Sequence, residues 1–411
     1  MTELAVHSVS HDTAKSEIYS VFHDAMKAGI PHIVEMLRDT NCEVRQSATR
    51  TFGKLADHVV FHDTMKAGIP QIVEMLGDSD RELRESSTRT FGRLADHIVF
   101  HDSMKPGIPH IVEMLRDTNC EVRQSATRTF GKLADHVVFH DTMKAGIPHI
   151  VEMLGDSDRE LRESSTRTFG KLADYSVFHD AMKAGIPQIV EMLGDSDREL
   201  RESSTRTFGR LADHIVFHDS MKPGIPHIVE MLGDSDRQLR ESSTRTFGKL
   251  ADYSVFHDAM KAGIPQIVEM LGDSDRELRE SSTRTFGRLA DHIVFHDSMK
   301  PGIPHIVEML RDTNCEVRQS ATRTFGKLAD YSVFHDAMKA GIPQIVEMLG
   351  DSDRELRESS TRTFGRLADH AVFHNALKAG IPQITEMLGD SDREVRQSAT
   401  HALGTLAPAL P

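Results

Sequence analysis

Large aromatic residues are scarce in this chain of 411 residues, which contains no tryptophan and four tyrosines. Aromatic side chains usually anchor large compact cores because each one buries a large apolar area. Their scarcity argues against a single large globular core. The hydrophobic content of 38% is nevertheless ample for a soluble helical protein.

Long apolar runs are also missing. The longest runs contain only a handful of residues, whereas a helix needs about 20 apolar residues to cross a bilayer. The residues that follow Met1 lack the basic and apolar regions of a secretory signal. The sequence therefore predicts no membrane association and a cytoplasmic protein, with the nucleus as the alternative compartment.

Cysteine is rare as well. Cys42, Cys120 and Cys315 are separated by multiples of 39 residues, which is the period of an internal repeat. Stacked helices lie about 8–10 Å apart, which places Cys42 about 20 Å from Cys120. A disulfide needs Cα atoms within about 7 Å. We therefore predict three free thiols, as is typical of a reducing compartment.

The internal repeat dominates the sequence. The phenylalanine of the tripeptide Phe-His-Asp recurs every 39 residues from position 22 to position 373, where the tripeptide reads Phe-His-Asn. A fixed period of this length is typical of solenoids. The predicted organisation is a lead over residues 1–21 and a single solenoid over residues 22–411. Its ten repeats are 22–60, 61–99, 100–138, 139–177, 178–216, 217–255, 256–294, 295–333, 334–372 and 373–411, the last acting as a C-terminal cap.

Each repeat is predicted to contain three helical segments, which repeat 2 illustrates. The first covers about residues 58–67, with Phe61 and Met65 facing inward, and Gly68 follows as its C-terminal cap. The second carries the apolar stripe of Ile69, Ile72, Val73 and Leu76.

The third segment opens with a predicted capping box, in which Ser79 is the N-cap and Glu82 returns to it. In repeat 1, the residues predicted to face inward from this segment lie on one face of a helix with 3.6 residues per turn. The stripe consists of Val44, Ala48, Thr51, Phe52 and Leu55.

Two segments resemble known repeat families. Gly68–Leu76, with the sequence GIPQIVEML, resembles the second helix of armadillo repeats. Asp390–Arg396, with the sequence DSDREVR, resembles the second helix of HEAT repeats. The resemblance implies an all-α fold, a right-handed α-solenoid of ten HEAT/armadillo-like repeats. It also implies that Asp78 and Arg84, like their counterparts in the other repeats, form a polar ladder along the turns.

The resemblance further implies that partners bind along a concave face lined by the last helix of each repeat. Armadillo proteins of nuclear import carry Trp and Asn there, whereas this chain carries Arg or Lys, which argues against recognition of basic import signals. Repeat 10 has His401 and Thr405 at these positions. The predicted partner-binding residues in repeats 1–9 are Arg50, Lys54, Arg89, Arg93, Arg128, Lys132, Arg167, Lys171, Arg206, Arg210, Arg245, Lys249, Arg284, Arg288, Arg323, Lys327, Arg362 and Arg366.

These cations support two interpretations. Like charges four residues apart on a helix are unfavourable, so the row indicates a basic groove for an extended acidic or phosphorylated protein segment. The alternative is a solvated face with local compensation, because Glu85 precedes Arg89 by four residues and Asp96 follows Arg93 by three. Gln46 replaces that glutamate in repeat 1, so compensation is incomplete. The net charge of −14 also argues against a simple polyanion binder.

Other functions are disfavoured. Nucleic-acid binding is disfavoured because proteins that bind single strands usually stack the bases on aromatic side chains. No tryptophan or tyrosine lies on this face. His58 and His62 have metal-chelating spacing, but tyrosine replaces the first histidine in three repeats. A catalytic site needs a unique constellation, so we predict no catalytic residue, metal, cofactor or small-molecule substrate.

The alternative to a protein-binding scaffold is a self-associating rod or a fragment of a longer scaffold. Repeat 10 resembles a cap because Leu403 and Thr385 replace Phe and Val, and Pro408 and Pro411 would end its last helix.

Overall fold

A computed structural model describes residues 23–407, which are helical and contain no strand. The chain divides into two compact units, Met1–Ile189 and Val190–Pro411. In each unit the helices pack against one another in sequence order. The predicted all-α solenoid class is confirmed, whereas a single uninterrupted solenoid over residues 22–411 stays a prediction. The lead over residues 1–21, Pro408 and Pro411 lie outside the described residues.

The long helix is the third segment of each repeat, and each one packs against the long helix of the next repeat within its unit. Those of the first unit are Cys42–Leu55, Arg81–Leu94, Cys120–Leu133 and Arg159–Leu172. Those of the second unit are Arg198–Leu211, Arg237–Leu250, Arg276–Leu289, Cys315–Leu328, Arg354–Ala368 and Arg393–Leu406.

The first two segments of a repeat are shorter. In repeat 2 a 3₁₀ turn at Val59–Phe61 leads into a single α-turn, His62–Met65, and a second 3₁₀ turn, Lys66–Gly68. The other α-turns are His101–Met104, His140–Met143, His179–Met182, His218–Met221, His257–Met260, His296–Met299, His335–Met338 and His374–Leu377.

The second segment follows directly. Residues 23–36 are helical in repeat 1. The second helices of the later repeats are Ile69–Met75, Ile108–Met114, Ile147–Leu154, Ile186–Leu193, Ile225–Met231, Ile264–Met270, Ile303–Met309, Ile342–Met348 and Ile381–Glu386.

The predicted apolar stripes form the core. Phe61, Met65, Ile69 and Ile72 are at most 1% exposed, which confirms the periodicity. Val73 is half-buried. On the long helix, Ala48, Phe52 and Leu55 are buried, but Thr51 is exposed and Val44 is half-buried. The difference arises because no long helix precedes repeat 1 among the described residues, and the equivalent Thr90 is 3% exposed.

The predicted N-cap is wrong by one residue. Asp80, with φ −76° and ψ 122°, is the last extended residue, and its carboxylate accepts a hydrogen bond from the Leu83 amide at 2.9 Å. Asp78 accepts from the Asp80 amide at 2.8 Å and fixes this turn. Asn41 caps the long helix of repeat 1 in the same way, so the residue after the hydroxyl is the cap.

The predicted C-cap role of Gly68 is also wrong. Gly68 has φ −90° and ψ −11°, and no glycine among the described residues has a positive φ. A Cβ atom at Gly68 would lie 2.6 Å from Cε2 of Phe52, in the long helix of repeat 1. Glycine is therefore required for close packing between repeats rather than for a left-handed conformation.

The predicted Asp/Arg ladder is confirmed and extends between repeats. The Arg84 guanidinium donates to the carbonyl of Asp78 at 2.9 Å and to the carboxylate of Asp117, in the next repeat, at 2.7 Å. Arg45 reaches Asp78 in the same way at 3.2 Å. Arg45 and Arg84 thus each close their own turn and bind the following one.

Repeat 10 exposes positions that are less exposed in other repeats, and its role as a C-terminal cap stays a prediction. Thr385 is exposed and Leu403 is half-buried. A Cβ atom at Gly404 would meet nothing within 4 Å.

Candidate basic face

The predicted cations lie on the exposed side of the long helices. The arginines of the predicted series are exposed, and Lys132, Lys171, Lys249 and Lys327 are half-buried. Because the long helices stack in sequence order within each unit, their cations form a continuous row there. We call this row the basic face of the unit.

Carboxylates neutralise part of the basic face in the first unit. Glu85 binds Arg89 on the same helix, and Glu163 binds Arg167. Lys132 binds Asp96 of the preceding repeat at 2.8 Å. The prediction that Asp96 compensates Arg93 is therefore wrong, because stacking brings Asp96 to the lysine of the next long helix.

Other cations of the first unit have no carboxylate partner among the described residues. Arg50 and Arg128 have Gln46 and Gln124 four residues earlier, where Arg89 has Glu85. Gln124 donates its amide to Glu160 of the next repeat at 2.9 Å, and Gln46 donates to Glu82 at 2.7 Å. Neither arginine forms an ion pair with a described carboxylate.

Arg50 and Arg128 line a depression of about 440 Å³ on the first unit. Six cations surround it against two carboxylates, so its charge is strongly positive. Lys54 and Arg93 in its wall also form no ion pair within residues 23–407. The lining residues are Arg50, Lys54, Glu82, Glu85, Ser86, Arg89, Thr90, Gly92, Arg93, Ser125, Arg128, Thr129 and Lys132.

The basic face of the second unit varies in charge, and one depression of about 380 Å³ is lined by five cations and two carboxylates. A depression of about 620 Å³ there has five cations and four carboxylates. Glutamates four residues earlier bind Arg206, Arg245, Arg284 and Arg362. Arg323 is the exception, because Gln319 stands at that position and donates to Glu355 at 2.7 Å.

The paired histidines have a structural role. His62 is buried, and its Nε2 lies 2.7 Å from the carbonyl oxygen of Ala56. Its ring packs 4.7 Å from that of His97, and Tyr175 takes the equivalent place against His140 at 4.8 Å. Burial and the neighbouring His62 lower the pKa of His97. Residues 23–407 contain no cluster of three histidine, cysteine, aspartate or glutamate side chains suited to a metal.

The sequence interpretation missed a row of exposed apolar side chains. Val59, Ile98 and Val137 precede the short helices of successive repeats and are 77%, 81% and 75% exposed. The sequence contains a signal for this, since Ser176 and Ser254 occupy the same position. A position that accepts serine interchangeably with valine is not in the core.

Regular helices that pack in sequence order define a protein of the tandem helical-repeat class, an α-solenoid. Residues 303–404 match the family model described as HEAT repeats. The fold is similar to that of a crystal structure of an engineered protein, with a TM-score of 0.70 and 21% identity. That alignment covers 92% of this chain and 98% of the other. No curated protein matches.

Across the described residues, every helix is too short or too polar to cross a bilayer. Cys42, Cys120 and Cys315 are free thiols, as the repeat spacing predicted.

Proposed function

We propose that this protein is a non-catalytic scaffold whose basic face binds an extended acidic or phosphorylated protein segment. The repeat fold suits an interaction or structural role. The observation that carries the proposal is the depression of the first unit, where Arg50, Lys54, Arg93 and Arg128 have no carboxylate partner. Free thiols favour the cytoplasm or the nucleus as its compartment.

Charge pairing explains why the ligand is acidic. At several other positions of the basic face, a glutamate of the chain itself binds the arginine four residues later, as Glu280 does for Arg284. In the first unit a carboxylate or phosphate from a partner would supply the missing bonds. Such charge-assisted hydrogen bonds are stronger than neutral ones, and those from arginine are often bidentate.

Binding of a synthetic glutamate-rich peptide, measured by fluorescence anisotropy, tests the proposal. Replacing Arg50, Arg93 and Arg128 together by serine is expected to weaken binding about tenfold or more, because each charge-assisted contact contributes roughly 1.5–3 kcal/mol. The affinity of the unmodified protein is expected to fall as salt is added.

The matched control removes three cations from another surface. Lys66, Lys105 and Lys144 are paired on the short helices with Asp63, Asp102 and Asp141. Their replacement by serine changes the net charge equally and is expected to leave binding almost unchanged. Equal losses in the two triple variants would contradict a specific basic face.

The exposed apolar row favours a second candidate function, association with a second copy of this chain. Val59, Ile98 and Val137 would supply the contact in the first unit. Light scattering over a range of concentrations measures the assembly, and the serines that stand at this position in other repeats provide conservative replacements. A monomer at every concentration would exclude this candidate.

A further inference from the structure

Ser125 in the basic depression of the first unit has an unsatisfied hydroxyl. Ser125 is 5% exposed, and its Oγ has no hydrogen-bond partner. The equivalent Ser86 donates to the carbonyl of Leu83 at 3.4 Å. Buried polar groups are nearly always hydrogen-bonded, so the buried, unpaired hydroxyl of Ser125 would gain a partner if it reached a ligand in the depression that Ser125 lines.

Cations from two stacked helices line the same depression as Ser125. Arg128 lies one turn and Lys132 two turns after Ser125 on the same long helix, and Arg89 and Arg93 come from the preceding one. Lys132 and Arg89 are held by Asp96 and Glu85. Arg128 and Arg93 are left to bind an anion beside the hydroxyl.

We infer that this depression is a subsite for the phosphate monoester of a phosphorylated serine or threonine. The inference rests on the proposed function and makes its ligand specific. A phosphate monoester carries up to two charges and three acceptor oxygens, enough for two guanidinium groups and a hydroxyl. A carboxylate has only one charge, so it neutralises one of the two guanidinium groups and leaves the other uncompensated.

The second unit contains a natural comparison. Ser281 also lacks a hydrogen-bond partner, is 6% exposed and lines a depression. There, however, Glu280 binds Arg284, the counterpart of Arg128. One residue that distinguishes the two sites is Gln124, where repeat 7 has Glu280, and another is Arg93, where repeat 6 has Lys249 bound to Asp213.

The experiment uses the full chain and a labelled, unstructured peptide with one phosphoserine. Binding is measured by the fluorescence anisotropy of the peptide. Matched peptides carry glutamate or serine at that position, and a single-stranded oligonucleotide supplies phosphodiesters. The unmodified protein is expected to bind the phosphopeptide about tenfold or more tightly than the glutamate peptide, because one further charge-assisted bond accounts for that factor. Affinity is expected to rise with pH through about 6, where the second phosphate proton dissociates.

Gln124→Glu is the decisive variant. It introduces the residue that repeats 2 and 4 contain naturally at this position, as Glu85 and Glu163, so the fold is expected to tolerate it. The new carboxylate would bind Arg128 and reduce phosphopeptide affinity to about the level of the glutamate peptide. Ser125→Ala is expected to weaken phosphopeptide binding severalfold, whereas Ser281→Ala leaves it unchanged. Circular dichroism confirms that each variant is folded.

The outcomes are distinguishable. Equal affinity for the phosphoserine and glutamate peptides would overturn the phosphate subsite and leave the proposed function standing. Absence of binding to either peptide would overturn both. Tighter binding of the oligonucleotide than of the phosphopeptide, with sensitivity to Ser125→Ala, would overturn the assignment to a protein ligand.

Discussion

A glycine two residues before the end of a long helix, as at Gly53 and Gly92, lies where neighbouring long helices approach closely. A Cβ atom at Gly92 would lie 2.7 Å from Oγ1 of Thr129, and one at Gly53 would lie 2.8 Å from Oγ1 of Thr90. That threonine is buried and already bonded, since Thr129 donates to the carbonyl of Thr88 at 3.0 Å. The glycine therefore fixes the separation of the helices.

Replacement of Gly92 by alanine is expected to destabilise the protein by about 1–3 kcal/mol, because the added methyl group overpacks a tight interface. Gly404 occupies the same repeat position with no atom within 4 Å of a Cβ. Gly404→Ala is expected to be neutral or to stabilise by up to about 1 kcal/mol, since alanine is the better helix former. Urea denaturation measures both changes, and similar values would contradict the packing role.

Helix caps separate what the sequence predicts from what only the structure shows. The apolar spacing of Phe61 with Met65, and of Ile69 with Ile72, predicts their burial correctly, since periodicity is a local property of each helical segment. The cap depends on which residue is last in the extended conformation, and Ser79 and Asp80 are both favourable cap residues. Sequence alone does not choose between them.

Asp80→Ala is therefore expected to cost about 0.5–2 kcal/mol, the usual contribution of an N-cap. Ser79→Ala is expected to change stability by only a few tenths of a kcal/mol, since an exposed residue away from the cap has little effect. Asp80→Asn is expected to be nearly neutral because Asn41 and Asn119 cap other repeats. A larger loss at Ser79 than at Asp80, measured by thermal unfolding, would restore the capping box predicted from sequence.

Contacts between repeats were the least predictable part of the candidate site. The composition of the basic face follows from the repeat alignment, and Gln46 signals the missing carboxylate of Arg50. The pairing of Lys132 with Asp96 depends on how far one helix is offset from the next. The burial of the unsatisfied Ser125 hydroxyl likewise depends on the neighbouring helix, which sequence periodicity does not describe.

At the scale of the whole molecule, successive repeats within a unit are joined either by a histidine–histidine or by a histidine–tyrosine ring contact. His62 meets His97 at 4.7 Å and His101 meets His136 at 4.5 Å, whereas His140 meets Tyr175 at 4.8 Å. In the second unit His257 meets His292 at 4.8 Å. Burial, followed by the neighbouring histidine, lowers the pKa of His97, His136 and His292.

The lowered pKa of these histidines makes the stability of the folded protein dependent on pH. A histidine with a depressed pKa in the folded state binds fewer protons than it does in the unfolded chain, so folding is favoured fully above about pH 6.5 and less as pH falls below it. Around His97, Asp57 and Asp96 oppose the shift and Lys132 reinforces it. We expect the melting temperature to fall on acidification below about pH 6.5.

Replacing His97, His136 and His292 by tyrosine, the residue found at this position in repeats 4, 6 and 8, is expected to reduce that fall. Calorimetry between about pH 5 and pH 8 compares the triple variant with the unmodified protein, across the range in which an unperturbed histidine changes its charge. Parallel melting curves for the two proteins would show that other groups control the acid response.

The close glycine–threonine approach also fixes the spacing between successive long helices, and a ligand of the basic face must match that spacing. Packed helices repeat every 8–10 Å or so, and an extended polypeptide advances about 3.3–3.6 Å per residue. Within one unit, a bound segment therefore passes one repeat for roughly every three of its own residues. Partners should accordingly carry acidic or phosphorylated residues at about every third position, a periodicity that can be searched for in candidate sequences.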